Sequence, residues 1–207
     1  SIDDFGTGNS SLAQLRDIPF GELKIDDRTI TLSHLKGQRG GTDDTVEIFG
    51  VVKDLATETP SYDVTVESPR LTLNDELRKA VPATITRIWD LYQPTGALGL
   101  RLEARREPEV NAKPTLEMTV TCLGNTAIAG ALEYPVSDLT GSIHYHAPFV
   151  DLNHLEAKHG SATIQVHGTI ELDPAGNDFN LKIGGTGVPF DEALLRTMPE
   201  EFRNLLI

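Results

Sequence analysis

Cysteine and long apolar runs are scarce in this chain. Its one cysteine, Cys122, leaves no partner for a disulfide within the chain. No stretch reaches the about 18 consecutive apolar residues that a transmembrane helix needs. No charged and then apolar signal segment opens the chain. Because it starts at Ser1 and stops inside an amphipathic pattern at Ile207, we expect an internal fragment of a longer protein.

Positive charge is also in short supply. The 207 residues include 18 Lys and Arg against 31 Asp and Glu, which gives a net charge of −13 and a pI near 4.8. Nucleic-acid binding depends on basic patches that neutralise phosphates, so we expect no nucleic-acid partner. The apolar fraction of 39% is sufficient for a folded core.

A proline-split helical segment occurs twice. Residues 71–89 read LTLNDELRKAVPATITRIW and residues 188–206 read VPFDEALLRTMPEEFRNLL, without a gap, and Pro82 and Pro199 lie 117 residues apart. Asn74 precedes an acidic first turn, as an N-cap does. Proline lacks an N–H and suits the first turn of the second helix in each copy. Each copy is therefore predicted to form two short helices.

Each second helix carries one apolar stripe. The stripe in the first copy is Val81, Ile85, Ile88, Trp89 and Tyr92, and its counterpart is Met198, Phe202, Leu205 and Leu206. Apolar residues at this helical spacing are typical of a helix that packs on a sheet. We expect both helical pairs to do so.

The rest of the chain has the alternating pattern of strands. Residues 30–35 (ITLSHL) match 150–155 (VDLNHL), residues 46–52 match 164–170, and residues 62–66 match 179–183. Period-two alternation predicts one buried and one wet face for each strand. The predicted apolar face includes Leu98, Leu100, Leu102, Leu116, Met118, Val120, Ile164 and Val166.

These patterns predict a mainly β (α+β) fold. It consists of an antiparallel, curved sheet built from tandem repeats, each with its helical pair packed on the sheet. The expected domains are a peripheral helical segment at 1–22, a first repeat at 23–140 with its helical cap at about 74–92, and a truncated second repeat at 141–207 with its cap at about 191–207. Neighbouring repeats of the same chain are expected partners.

Few residues point to chemistry. His144 and His146 share one strand face at metal-ligand spacing, but no third ligand is evident, and a solvated polar face is favoured over a zinc site. His34 and His154 recur at matched positions, which predicts a shared structural role. Cys122 continues an apolar alternation and is predicted to be a small buried residue, not a nucleophile.

Residues 1–27 resemble part of the EAL domain, a bacterial family of cyclic di-GMP phosphodiesterases. The similarity lies in the loop DDFGTGNSSL at 3–12 and the strand LKID at 23–26. It implies that Asp3 and Asp4 bind catalytic Mg²⁺ or Mn²⁺, that Lys24 assists at the attacking water, and that the protein is cytoplasmic. Without the other motifs of that family or its (β/α)₈ pattern, the alternative function is a truncated, inactive phosphodiesterase fragment.

Residues 23–207 resemble the AsmA-like repeat proteins of bacterial envelopes. The similarity lies in HGSATIQVHGTI at 159–170, VDLNHL at 150–155 and VPFDEALLRTMPEEFR at 188–203. It implies a periplasmic, non-enzymatic structural or lipid-transport module with no cofactor, whose apolar face shelters lipid acyl chains. The change of pattern across residues 23–26 is expected if two unrelated coding segments were joined.

Overall fold

Ten strands and two short helices make up the described part of the chain. The computed structural model describes residues 21–38, 42–81, 83–129, 134–173 and 176–188. The strands are β1 Glu22–Asp26, β2 Thr29–Gln38, β3 Thr45–Lys53, β4 Ser61–Thr72, β5 Ala97–Arg106, β6 Thr115–Ala129, β7 Tyr134–His146, β8 Phe149–His159, β9 Ala162–Glu171 and β10 Asp178–Thr186. The helices are α1 Asp75–Ala80 and α2 Ala83–Tyr92.

The sheet is antiparallel, and its strand order from β1 to β10 is the order of the chain. Each strand therefore lies beside the strand that precedes it and the strand that follows it. The prediction of a mainly β, antiparallel fold with short helices is confirmed.

The described residues belong to two compact units. The first unit lies within residues 1–69 and 101–116, and so contains β1 to β3, most of β4 and the second half of β5. The second unit lies within residues 70–100 and 117–207, and contains both helices and β7 to β10. The predicted repeat boundary at residue 140 falls inside β7.

The helical pair begins as the sequence predicts. The Asn74 side chain accepts a hydrogen bond from the Leu77 N–H at 3.0 Å, which confirms the N-cap. Arg78 joins the two helices, because its Nε and Nη2 donate to Asp90 Oδ1 at 3.0 and 2.6 Å.

The apolar stripe of α2 is covered only in part. Ile85 and Trp89 are half-buried, whereas Ile88 is 54% exposed. The expectation of a buried stripe is wrong for Ile88 and for Tyr92, which is 42% exposed, because both lie on the side of the helix that also carries the exposed Leu91.

Strands β2 and β8 contain the same irregularity. Each pairs with its next neighbour through a register shift, between Leu32 and Leu35 in β2 and between Leu152 and Leu155 in β8. Inside the shift, His34 has φ of 50° and His154 has φ of 49°. This left-handed conformation is uncommon for a residue with a side chain and marks a bulge. The two histidines therefore occupy equivalent backbone positions, in agreement with the predicted shared structural role.

A glycine lies at the same place beside each bulge. Gly50 pairs with Leu32 and has φ of 139°, and Gly168 pairs with Leu152 and has φ of 137°. A Cβ added at Gly50 would lie 2.1 Å from the Asp63 carbonyl oxygen. One added at Gly168 would lie 2.1 Å from the corresponding oxygen of Asn180. Only glycine fits either position without a backbone shift.

Large aliphatic side chains are not fully buried anywhere in the described ranges. The buried apolar residues there are Ala97, Cys122, Tyr134, Ala157 and Ala162. No described leucine, isoleucine, valine, phenylalanine or methionine belongs to this buried class. The sheet therefore leaves its aliphatic side chains half-covered.

Two predicted segments lie outside the described residues. The EAL-like loop with Asp3 and Asp4 is one of them, and the second helical cap at about 191–207 is the other. Pro82, predicted to split the first helical pair, lies between α1 and α2 and is also outside.

Candidate functional site

The apolar face of the second unit consists of two rows that cross five strands. Residues directly opposite each other in antiparallel strands point to the same face, so the pairing defines each row. One row is Met118, Tyr145, Val150, Ile170 and Phe179, and the next is Val120, Ile143, Leu152, Gly168 and Leu181. All the side chains in these rows are half-buried except Phe179, which is 65% exposed on β10.

The first unit has two corresponding rows. They cross β1 to β4 as Leu23, Leu32, Gly50 and Val64, and as Ile25, Ile30, Val52 and Tyr62. On β1, Leu23 is 55% and Ile25 is 69% exposed, and the remaining side chains are half-buried. Each unit thus has an aliphatic surface in which leucine, isoleucine and valine dominate.

The eight residues predicted to line an apolar face lie on β5, β6 and β9. Met118 and Val120 belong to the rows of the second unit. Ile164 and Val166 lie on the same side of β9 as Gly168 and Ile170, since their positions differ by even numbers. The first three of the eight, Leu98, Leu100 and Leu102, alternate along β5 and are half-buried, and Leu116 at the start of β6 is 43% exposed.

The opposite face of the first unit carries charged side chains in pairs. Glu47 accepts from Lys36 at 3.5 Å and contacts His34, and the hydrogen bond from His34 is the main reason why the pKa of Glu47 is lowered. Arg101 binds Glu67 and Glu103, and Arg105 binds Asp63 at 3.1 Å. Exposed pairs of this kind contribute at most about 1 kcal/mol each, so they keep the face polar more than they hold the fold together.

The opposite face of the second unit carries histidine instead. Thr119, His144, Asp151 and Thr169 form a row by strand pairing, and His146 lies two residues from His144. His146 Nε2 donates to Asp151 Oδ2 at 2.8 Å, and Thr169 Oγ1 donates to Asp151 Oδ1 at 2.7 Å. These two hydrogen bonds, the one from Thr169 first, lower the pKa of Asp151 and keep it ionised.

A shallow hollow of about 190 Å³ lies on this face beside the bulge of β8. Asp151, Asn153, His154, His167 and Thr169 contribute to its lining. The rings of His154 and His167 stack there with centroids 6.3 Å apart. The hollow is small and open, so it does not suit an organic substrate.

The remaining predicted candidates lie apart from this polar row. Cys122 is buried, as predicted, and burial raises the pKa of its thiol, which makes it a poor nucleophile. Lys24, assigned a catalytic role by the EAL resemblance, lies on the antiparallel strand β1, is 62% exposed and reaches Asp26 at 3.8 Å. In the described ranges, no group of three or more His, Cys, Asp or Glu side chains is placed to hold a metal ion.

Sequence reasoning identified His144 and His146 but missed Asp151, Thr119 and Thr169. Asp151 is 5 residues from His146 in the chain, and Thr119 is 25 residues from His144. Strand alternation assigns a residue to a face, whereas only the register shows which residues of neighbouring strands are opposite. The available signal is Asp151 itself, a polar residue between two apolar ones in the motif VDL at 150–152.

Comparison of the chain with protein-family models, curated proteins and solved structures finds no match in any of the three. Both family resemblances therefore stay predictions. Neither helix of the described residues combines the length and apolar character needed to cross a membrane.

Proposed function

We propose that this chain is a non-enzymatic, AsmA-like β-repeat module of a bacterial envelope protein, and that its apolar sheet face contacts lipid acyl chains. The observation that carries the proposal is the pair of continuous aliphatic rows in each unit, in which no large aliphatic side chain is fully buried. A contiguous apolar surface that the described residues cover only in part is typical of a site that contacts another molecule. The periplasm is the proposed location.

The matched bulges support a tandem repeat. His34 and Gly50 in one half correspond to His154 and Gly168 in the other, with the same backbone conformations. A bulge strengthens strand twist, so recurring bulges would give a curved sheet. Matched strands differ mainly in their surroundings: Tyr62 on β4 is half-buried, and its counterpart Phe179 on β10 is 65% exposed.

A further strand beside β10 would remove that difference in exposure. β4 has β5 on its outer side, whereas no described strand follows β10. In the proposed array, a strand equivalent to β5 from the neighbouring repeat pairs with β10 and covers Phe179 and Ile183. Stacking against neighbours is how repeat proteins complete a shared core.

The face is chemically suited to acyl chains. Burial of one methylene gains about 0.8 kcal/mol, so a chain of about sixteen carbons with half of its surface on the sheet gains about 6 kcal/mol. This corresponds to dissociation constants of roughly 10 to 100 μM. Binding of this strength favours transfer along a surface over permanent storage.

Site-specific photo-crosslinking tests the proposal. Benzoylphenylalanine replaces Val120 or Val166 on the apolar face and, as matched controls, the adjacent Thr121 or Gln165 on the other face. The protein is irradiated with vesicles of phosphatidylethanolamine and phosphatidylglycerol that carry radiolabelled acyl chains. We expect labelled adducts at Val120 and Val166 and little label at the controls.

The controls are stringent because Thr121 and Gln165 are exposed, whereas Val120 and Val166 are half-buried. Random collision with lipid would label the control positions more strongly. Equal labelling on both faces, or stronger labelling at the controls, would mean that the apolar face does not select acyl chains.

A further inference from the structure

The polar face of the second unit holds two imidazoles in a fixed arrangement. The ring centroids of His144 and His146 are 5.0 Å apart and their planes differ by 33°. Each ring has a hydrogen-bonded partner on a neighbouring strand: Thr119 Oγ1 lies 3.0 Å from His144 Nδ1, and Asp151 holds His146 Nε2 at 2.8 Å. Exposed histidines without such partners would rotate freely.

We propose that His144 and His146 bind one divalent transition-metal ion on the face of the second unit that lies opposite its apolar rows. Thr119 and Asp151 act as positioning residues, and Thr169 in turn holds Asp151. Because this site lies on the face opposite the apolar rows, its metal binding does not depend on whether those rows bind lipid.

The available ring nitrogens fit this role. Because an ionised carboxylate only accepts hydrogen bonds, His146 carries its proton on Nε2, and the lone pair of its neutral ring is on Nδ1. For His144 to bind a metal, its Nδ1–H donates to Thr119 Oγ1, which lies 3.0 Å away, and the lone pair is then on Nε2. A histidine that ligates a metal usually donates its other N–H to a carboxylate or a similar acceptor, and that carboxylate is itself hydrogen-bonded.

The distance between the rings also fits. With a metal–nitrogen bond of about 2.1 Å and about 1.1 Å more to the ring centroid, two ligands at angles of about 90° to 110° place their centroids about 4.5 to 5.2 Å apart. The observed 5.0 Å lies within this interval. The other pair on this face, His154 and His167, has centroids 6.3 Å apart, which would require a nearly linear arrangement.

Imidazole ligands select the metal class. They suit Zn²⁺, Cu²⁺ and Ni²⁺, whereas Mg²⁺ and Ca²⁺ prefer oxygen ligands. Two protein ligands leave the other coordination positions to water. Cu²⁺ binds such sites most strongly among the first-row divalent ions, so it is the most sensitive probe.

The test is a Cu²⁺ titration of the 207-residue chain by calorimetry, with electron paramagnetic resonance of the complex. We expect one site with coupling to two imidazole nitrogens. His144→Gln and His146→Gln should each weaken binding more than about tenfold, and Asp151→Asn should weaken it about 10- to 100-fold, as loss of an outer partner does. Glutamine keeps a polar side chain at each position, and circular dichroism verifies the fold of each variant.

The double variant His154→Gln and His167→Gln is the matched control, because it removes two histidines from the same face and should leave Cu²⁺ affinity unchanged. Undiminished affinity in His146→Gln, loss of binding in the control variant, or resonance signals from oxygen ligands alone would overturn the proposal.

Discussion

Replacement of Gly50 by alanine tests whether the close backbone contact beside the β2 bulge requires a glycine. The added Cβ would lie 2.1 Å from the Asp63 oxygen and 2.7 Å from the Val64 Cα, both backbone atoms that cannot rotate away. The φ of 139° is also unfavourable for an L-residue and costs about 1 to 3 kcal/mol by itself. A shift of β4 adds about 1 to 2 kcal/mol, as overpacking does. We therefore expect Gly50→Ala to lower the free energy of unfolding by about 3 kcal/mol.

Gly168→Ala should have a similar but smaller cost, because its contact is with Asn180 on β10, a largely exposed strand that can yield. Gly37→Ala on β2 is the control, since no atom lies within 4 Å of its added Cβ, and its cost should stay within about 0.5 kcal/mol. Urea unfolding followed by circular dichroism measures all three, with hydrogen exchange at residues 45–53 and 162–171 to locate the change. A cost for Gly50→Ala no larger than that for Gly37→Ala would refute the steric argument.

Three further substitutions have defined outcomes. Asn125 is buried, donates to the Thr95 and Ala97 oxygens at 3.1 and 2.8 Å, and accepts from the Leu123 N–H at 3.0 Å. Asn125→Ala should therefore cost about 2 to 4 kcal/mol in urea unfolding, against about 0.5 kcal/mol for the same change at an exposed asparagine. Thr169→Val should raise the pKa of Asp151 in a carboxyl NMR titration, because it removes the largest cause of the lowered pKa. A carboxyl group with a lowered pKa stabilises the fold at pH values above its unfolded pKa, and this stabilisation is lost as the pH falls through its folded pKa. The wild type should therefore keep its stability down to a lower pH than the variant does. Trp89→Ala should cost about 2 kcal/mol in thermal unfolding, less than for a fully buried ring, since Trp89 is half-buried.

Local patterns in the sequence were sufficient for the elements of the fold. Alternation along 62–66 and 164–170 predicts strands because the side-chain period of a strand is two. The N-cap at Asn74 was predictable because it needs only one side chain and a free N–H three residues later. The exposure of Ile88 was not, since a helical stripe specifies a face but not how wide a surface covers it.

The sequence indicates the bulges only in part. The matched His34 and His154 indicated a shared role, and the apolar spacing of three from Leu32 to Leu35, repeated from Leu152 to Leu155, breaks the period of two, but only the pairing shows that these leucines share a face. Asp138 of β7, with φ of 51°, stands in a similar Ser-x-Leu context beside another register shift. The partners of the histidine row depend on register across four strands, and register is a tertiary property.

The composition of the apolar face favours lipid over a protein partner. Protein interfaces concentrate aromatic residues, methionine and arginine, and they form about one hydrogen bond per 100 to 200 Å². In the two rows of the second unit, six of the ten positions are leucine, isoleucine or valine, against one methionine and two aromatic residues, and no arginine occurs in them. In the first unit, Arg101 and Arg105 form ion pairs on the other face. A partner protein would bring backbone groups that such a surface cannot satisfy, whereas an acyl chain has none. An aliphatic face with its charges paired on the reverse side is therefore better matched to hydrocarbon, apart from the outer edge of β10, which no described strand covers and which suits a neighbouring strand.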